Sequence, residues 1–148
     1  MLKLDRVDFT YGRSSFRDAT GEFYEPTAKI FVKVCLEDRF DSAFYAQVDT
    51  GAAWSVLDHR LAQRFGLLSP ENPGTQISTR FGLLKGSLVR PKITFVAEEG
   101  VHLDTFATFF VSPDWPSGLN FLGYSGLLDS IRFALDPQKN HFYFGPSA

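Results

Sequence analysis

The sequence predicts an all-β, barrel-like domain, on three observations. Short apolar runs recur along the chain, each bounded by Gly, Pro, Asn or Asp, which is the signature of many short strands. Only one segment, just after Leu57, carries clear helix signals. At 148 residues, with 16 Phe and 44% hydrophobic residues, the chain has the size of one domain and can bury a core without staples. It contains no internal repeat, low-complexity stretch or linker.

Residues 1–27 are mixed in character and read as an N-terminal arm, with Tyr11-Gly12-Arg13-Ser14-Ser15 as a turn. The domain proper is expected over 28–148. Residues 28–36 predict a strand with Ile30, Val32, Val34 and Leu36 on one face and Phe31, Cys35 and two lysines on the other. Glu37 to Asp41 turns the chain into a second strand that ends at Asp49. Asp58 is a good helix N-cap, Leu61, Ala62 and Phe65 share a face, and Gly66 suits the C-terminus. After a Pro/Gly loop at 69–74, Thr75–Phe81 and Leu83–Val96 predict a long hairpin with its tip near Phe81-Gly82. Pro91 marks an edge or bend in the returning strand. A strand over Val101–Val111, a loop at 113–118 and a short apolar strand at Phe121-Leu122-Gly123 follow. Ser125–Ile131 suggests one or two helical turns, Arg132–Leu135 a strand, Asp136–Asn140 a turn, and His141–Phe144 the last strand.

Composition narrows the function. A net charge of −2 without a basic stripe disfavours nucleic acid as partner. The single cysteine, Cys35, has no internal disulfide partner, and in an apolar run it reads as a buried, inert thiol. The start shows no signal-peptide pattern, and no 18-residue apolar run occurs. The expectation is a soluble, cytoplasmic protein with no membrane segment in this chain.

The stretch that carries chemistry is Ala43-Phe-Tyr-Ala-Gln-Val-Asp49-Thr50-Gly51-Ala52-Ala53-Trp54-Ser55-Val56-Leu57. A strand delivers one carboxylate, Asp49, into a tight turn. Gly51 permits the turn and the close approach of another backbone, and the Thr50 hydroxyl can lock it by hydrogen bonding. Asp-Thr-Gly is also an ordinary turn sequence, so the tripeptide alone decides nothing. Its pairing with the late Phe121-Leu122-Gly123 segment does more.

Together, Val48-Asp49-Thr50-Gly51-Ala52 followed by Ser55-Val56-Leu57, and Phe121-Leu122-Gly123 followed by a short helical stretch, resemble the retropepsin-like aspartic peptidases. The tail from Leu122 to Phe144 looks like the cellular and bacterial branch. The resemblance covers roughly 28–145. It implies a closed acid-protease-like barrel, a short helix near the C-terminus besides the helical segment after the catalytic loop, and Asp49 as the catalytic residue. Thr50, Gly51 and Ala52 would support the catalytic loop. The 75–96 hairpin would be a substrate-covering flap with Arg80, Phe81 and Gly82 at its tip. Ala53, Tyr124 and a tip that is not glycine-rich depart from the family's pattern.

Aspartic peptidases work with two carboxylates around one water, sharing a proton because both cannot easily ionise at close range. This chain has a single Asp-Thr-Gly. Asp41-Ser42-Ala43 and Asp129-Ser130-Ile131 lack the glycine. The expectation is a homodimer joining two copies of Asp49 on its axis, acting on a peptide or protein substrate with no metal or organic cofactor. A catalytically inactive peptide-binding or dimerisation module on the same fold is the alternative. Other chemistries find less support. Gly123-Tyr124-Ser125-Gly126-Leu127 has Leu where a nucleophile elbow needs Gly. Ala52-Ala53-Trp54 offers no phosphate cradle. His59, His102 and His141 are scattered without metal-ligand spacing. Asp129 reads as a local cap or surface group, and Trp54 as either a substrate contact or core.

Overall fold

The computed structural model describes residues 2–4, 7–9, 12–15 and 30–147. In chain order the strands begin with β1 (Leu2–Leu4), β2 (Val7–Phe9), β3 (Gly12–Ser15), β4 (Ile30–Leu36), β5 (Phe44–Val48) and β6 (Ser55–Val56). The helix α1 (His59–Arg64) follows, then β7 (Gly74–Thr79), β8 (Gly82–Val89), β9 (Lys92–Phe95), β10 (Glu99–Gly100) and β11 (Leu103–Phe106). The chain ends with β12 (Phe109–Val111), β13 (Phe121–Leu122), β14 (Ile131–Asp136) and β15 (His141–Pro146).

The strands form a nine-stranded sheet in the order β11-β9-β4-β5-β13-β6-β12-β8-β7, a four-stranded sheet β10-β3-β15-β14, and the β1-β2 pair. The expected closed barrel is not found. Among the described residues β11 and β7 end the large sheet without pairing to each other. Its apolar face is covered instead by the smaller sheet, where Phe95 of β9 packs on Phe142 and Phe144 of β15 with ring centroids 6.3 and 5.3 Å apart. Both faces of the end of β4 are therefore covered, and Val34, Cys35 and Leu36 are all buried in succession. A second apolar cluster, of Val56, Leu84, Phe110, Trp115 and Phe121, lies apart from this main core.

Other expectations are also corrected or narrowed. The turn expected at Tyr11–Ser15 is a strand over Gly12–Ser15, paired with β15 and β10; Tyr11 lies outside the described residues. Gly12 serves close packing there, since a Cβ would fall 2.2 Å from the Val101 carbonyl oxygen. Of the expected arm, 1, 5–6, 10–11 and 16–27 also lie outside the described residues. The single strand expected over Val101–Val111 is two, because β11 pairs with β9 while β12 pairs with β6 and β8. Of the one or two helical turns expected in Ser125–Ile131, a single 3-10 turn is found at Leu128–Ser130. Gly126 at φ 78° and Leu127 at φ −147°, ψ −75° lie outside the α-helical region and keep a longer helix from forming.

The helix after Leu57 is short for a physical reason. Asp58 caps it, its side chain accepting from the Arg60 amide. Gly66 at φ 67° then reverses the chain, a backbone state that glycine adopts without a Cβ penalty. The returning hairpin strand stops before Pro91, which has no N–H to give a ladder. The chain resumes as β9 with new partners, β4 and β11.

Candidate active site

β5 and β6 are not neighbours. β13 lies between them, parallel to β5 with Leu122 opposite Val48, and antiparallel to β6 with Phe121 opposite Val56. The 49–54 loop therefore crosses the end of β13, and the crossing fixes it. The Asp49 amide donates to the Leu122 carbonyl at 3.0 Å. On the far side of the loop, the Tyr124 and Ser125 amides donate to the Ala52 and Ala53 carbonyls at 2.8 and 2.9 Å. The buried Gly123 amide donates to Ser55 Oγ at 2.9 Å. Gly123 is required at this crossing. A Cβ there would sit 2.3 Å from the Trp54 carbonyl carbon and 2.7 Å from the Ser55 nitrogen.

Within the loop, the Gly51 amide donates to Asp49 Oδ1 at 3.0 Å and the Ala52 amide to the Asp49 carbonyl at 3.1 Å. The Thr50 side chain is exposed. The expectation that its hydroxyl locks the turn is not met: among the described residues the bonds that close it are backbone donors to Asp49. A second brace escaped the sequence reading. Buried Asn120 accepts from the Asp58 amide through Oδ1 and from the Gln47 amide through its carbonyl, both at 2.8 Å. Asp58 Oδ2 also accepts from the Gly118 amide at 2.8 Å. The loop before β13 is thus fastened to the start of α1.

The carboxylate opens onto a groove of about 530 Å³. Its walls are the 49–54 loop, the β7–β8 hairpin and the apolar side chains Val56, Ile77, Trp115 and Phe121. Val56, Trp115 and Phe121 belong to the second cluster, so part of that cluster faces the groove. The Trp115 indole donates to the Leu119 carbonyl at 2.8 Å, which holds the ring in place. Trp115 falls within the 113–118 segment expected as a loop. The signal was a large aromatic set between Pro113 and Pro116, which is costly to expose.

No family model matches the chain, and no curated protein matches it. Solved structures do. A retropepsin-like aspartic protease from Rickettsia conorii matches with a TM-score of 0.57 at 18% identity, over 97% of this chain and 96% of that one. The EIAV protease complexed with the inhibitor HBY-793 matches with a TM-score of 0.52 at 24% identity, over 72% of this chain and 91% of that one. The fold is retropepsin-like. At these identities the likeness is one of architecture, and the chemistry rests on the residues.

In this retropepsin-like frame the hairpin tip is a two-residue loop, Arg80-Phe81, closed by the Thr79–Gly82 pair. Thr79 Oγ1 donates to the Gly82 carbonyl at 2.9 Å and accepts from the Phe81 amide at 3.1 Å. Gly82 stands at φ 100°, a value that demands glycine. Arg80 lines the groove with Asp49, whereas Thr50, Phe81 and Gly82 do not. Phe81 instead packs edge-on against Trp115, with centroids 5.3 Å apart. Trp54 is 43% exposed and lines the groove, which favours a ligand contact over a core role.

The remaining candidates take structural places. Asp129 Oδ1 accepts from the Gly126 amide at 3.1 Å, a local cap. His102 Nδ1 accepts from the Ala97 amide at 2.9 Å, and its ring packs on Phe40. His141 lies beside Arg13, whose Nη1 donates to Nε2 at 2.6 Å. Burial pushes the Cys35 thiol up from its ordinary value, against a lowering hydrogen bond from Thr94. Among the described residues no three His, Cys, Asp or Glu side chains cluster as a metal site, and no helix is long and apolar enough to cross a membrane.

Proposed function

We propose that the chain is an aspartic endopeptidase in which Asp49 and its copy in a second, identical subunit activate one water. One observation carries this reading. A carboxylate braced by backbone hydrogen bonds stands in a groove whose other described lining residues supply no second acid. A single carboxylate cannot act as base and acid in one step, so a two-fold assembly is the economical way to supply the other.

In the dyad one carboxylate is ionised and the other protonated. The ionised group takes a proton from water as the oxygen attacks the scissile carbonyl carbon. The protonated group gives its proton to the carbonyl oxygen, forming a tetrahedral diol. Collapse breaks the C–N bond, the nitrogen takes a proton from the dyad, and the diol hydroxyl returns one. The pair ends with one shared proton, as it began, and its apparent pKa values belong to the pair. Thr50 would stiffen the pair across the axis, Gly51 would leave room for water and the substrate backbone, and Ala52 would support the loop. The substrate would lie extended and pair with β7, a terminal strand of the large sheet among the described residues, by strand addition. We place this activity in the cytoplasm, where a lone buried thiol needs no disulfide partner.

Asp49→Asn tests the reading. Cleavage of an unstructured peptide library should fall at least about 100-fold, the lower range for loss of general acid–base catalysis, while sedimentation still reports a dimer. Unchanged cleavage by the variant would overturn the mechanism. A native dimer that binds peptides but cuts none would mark a binding module instead.

A further inference from the structure

Among the described residues the groove is lined by one cation as well as one carboxylate, and that cation has no acidic partner. Arg80, at the tip of the β7–β8 hairpin, is the basic side chain among the groove's described lining residues. Its guanidinium carbon lies 5.2 Å from the Phe81 ring centroid and 5.3 Å from that of Phe121. Phe121 in turn stands edge-on to Trp115, with centroids 5.6 Å apart. Among the described residues no carboxylate lies within ion-pair distance of Arg80.

This arrangement holds the head group and leaves its donors free. Contacts with ring faces use the cation's charge and planar surface. The five N–H groups of a guanidinium lie in its own plane and point outward in a fork that fits a carboxylate. Two flanking rings also restrict the side chain before any ligand arrives, so less freedom is lost when an anion binds. Val56, Ile77, Trp115 and Phe121 give the groove apolar walls beside Arg80, and a bound peptide displaces water from them, which strengthens a charged pair beyond its worth in bulk solvent.

We infer that Arg80 is a specificity-determining residue that selects substrates with a carboxylate reaching the hairpin tip, an aspartate or glutamate side chain near the scissile bond. This deepens the endopeptidase reading and rests on it for the word substrate. The recognition itself rests on the Arg80 geometry. A peptide's own terminal carboxylate has the same chemistry, and the two sources are separable by experiment.

The test uses the full chain and matched extended peptides that differ at one internal position, Glu against Gln, with amidated C-termini. A third peptide carries Gln internally and a free terminal carboxylate. At low salt the Glu peptide should show kcat/KM at least about tenfold above its Gln twin, as a charge-assisted fork contact allows. The ratio should shrink toward one in 1 M salt, where the Debye length is about 3 Å. It should also shrink below about pH 4, where the glutamate itself takes up a proton. Arg80→Gln should bring the ratio to about one, and Arg80→Lys should leave part of it, since Lys keeps the charge and loses the fork. A merely structural Arg80 would lower both peptides equally and leave the ratio unchanged.

Equal rates for Glu and Gln peptides with the native chain overturn the inference and leave the peptidase standing. So does a ratio that survives Arg80→Gln. Preference for the free terminal carboxylate over internal Glu overturns the side-chain assignment. If the native chain cuts neither peptide, fluorescence anisotropy of the same peptides decides. Glu-selective binding lost in Arg80→Gln then supports this inference and removes the peptidase reading, and equal or absent binding overturns the inference.

Discussion

Gly123→Ala is the sharpest test of how the site is held. The added Cβ would fall 2.3 Å from the Trp54 carbonyl carbon and 2.4 Å from its oxygen. Both are backbone atoms, so no side-chain rotation relieves the contact. Ordinary van der Waals contact begins about 1 Å farther out, and the 49–54 loop and the end of β13 must separate by that amount. Overpacking of this kind costs about 1–3 kcal/mol, or roughly 2–12 °C in Tm for a domain of this size. The same separation stretches the bond from the Gly123 amide to Ser55 Oγ and displaces the segment that carries Asp49. A misplacement near 1 Å can cost about 100-fold in rate. The assay is calorimetry together with peptide cleavage, with Gly74→Ala as the control, since nothing lies within 4 Å of a Cβ there. If Gly123→Ala unfolds within 0.5 °C of the native chain and retains full activity, the argument that this crossing holds the loop fails.

Two further outcomes follow from the same structure. Asp58→Ala removes the acceptor for the Arg60 and Gly118 amides. Loss of a cap at about 1 kcal/mol and an orphaned donor at about 1–3 kcal/mol together predict about 2–4 kcal/mol in urea unfolding, and a loss under about 0.5 kcal/mol would refute the brace. Stability should also depend on pH through His141. Burial first, then the Arg13 guanidinium and Lys139, hold its pKa below the ordinary value, against Asp136 and Glu98, which raise it. The folded form prefers the neutral ring, and the unfolded chain binds a proton first as pH falls. The neutral ring's contribution is thus complete above about pH 6.5 and is lost on acidification below it. Tm should drop from pH 7.5 to 5.5 more steeply in the native chain than in His141→Gln, and parallel curves would exclude this source.

How much of this was legible in the sequence depended on the range of the interactions. The Asp49 turn, the hairpin tip near Phe81-Gly82 and the capped helix after Leu57 are set by local rules: strand alternation, turn residues and a capping side chain. Gly123 was legible as part of a motif, though its reason, contact with the Trp54 backbone, was not. What stayed hidden was decided across the chain. Gly12-Arg13-Ser14-Ser15 has the composition of a turn, yet Gly12 lies opposite Phe144 in a ladder, and tertiary packing overrides local preference. Val101–Val111 reads as one strand because nothing in it announces that its halves take different partners. Barrel closure, taken from resemblance, gives way to coverage by the β15 sheet, whose Phe142 and Phe144 alternate in a way compatible with either. Asn120 bridges Gln47 and Asp58, and no spacing rule links residues so far apart.

The two charges of the groove sit on elements of different stiffness, and this bears on their roles. Asp49 follows a strand inside the large sheet, and the loop it opens is tied to the crossing strand from both sides. The general acid–base role proposed for Asp49 would need that precision, because proton transfer requires hydrogen-bond distances. Arg80 sits on a two-residue tip at the end of the hairpin, supported by ring contacts rather than by a backbone ladder. A fork-shaped cation recognising a side chain tolerates more motion, since attraction between charges falls off slowly with distance. Were Arg80 paired with Asp49, the cation would favour two ionised carboxylates and oppose the shared proton that the proposed dyad requires. Among the described residues no such pair forms. A substrate carboxylate at the tip would engage that cation and leave Asp49 free for the acid–base role proposed for it.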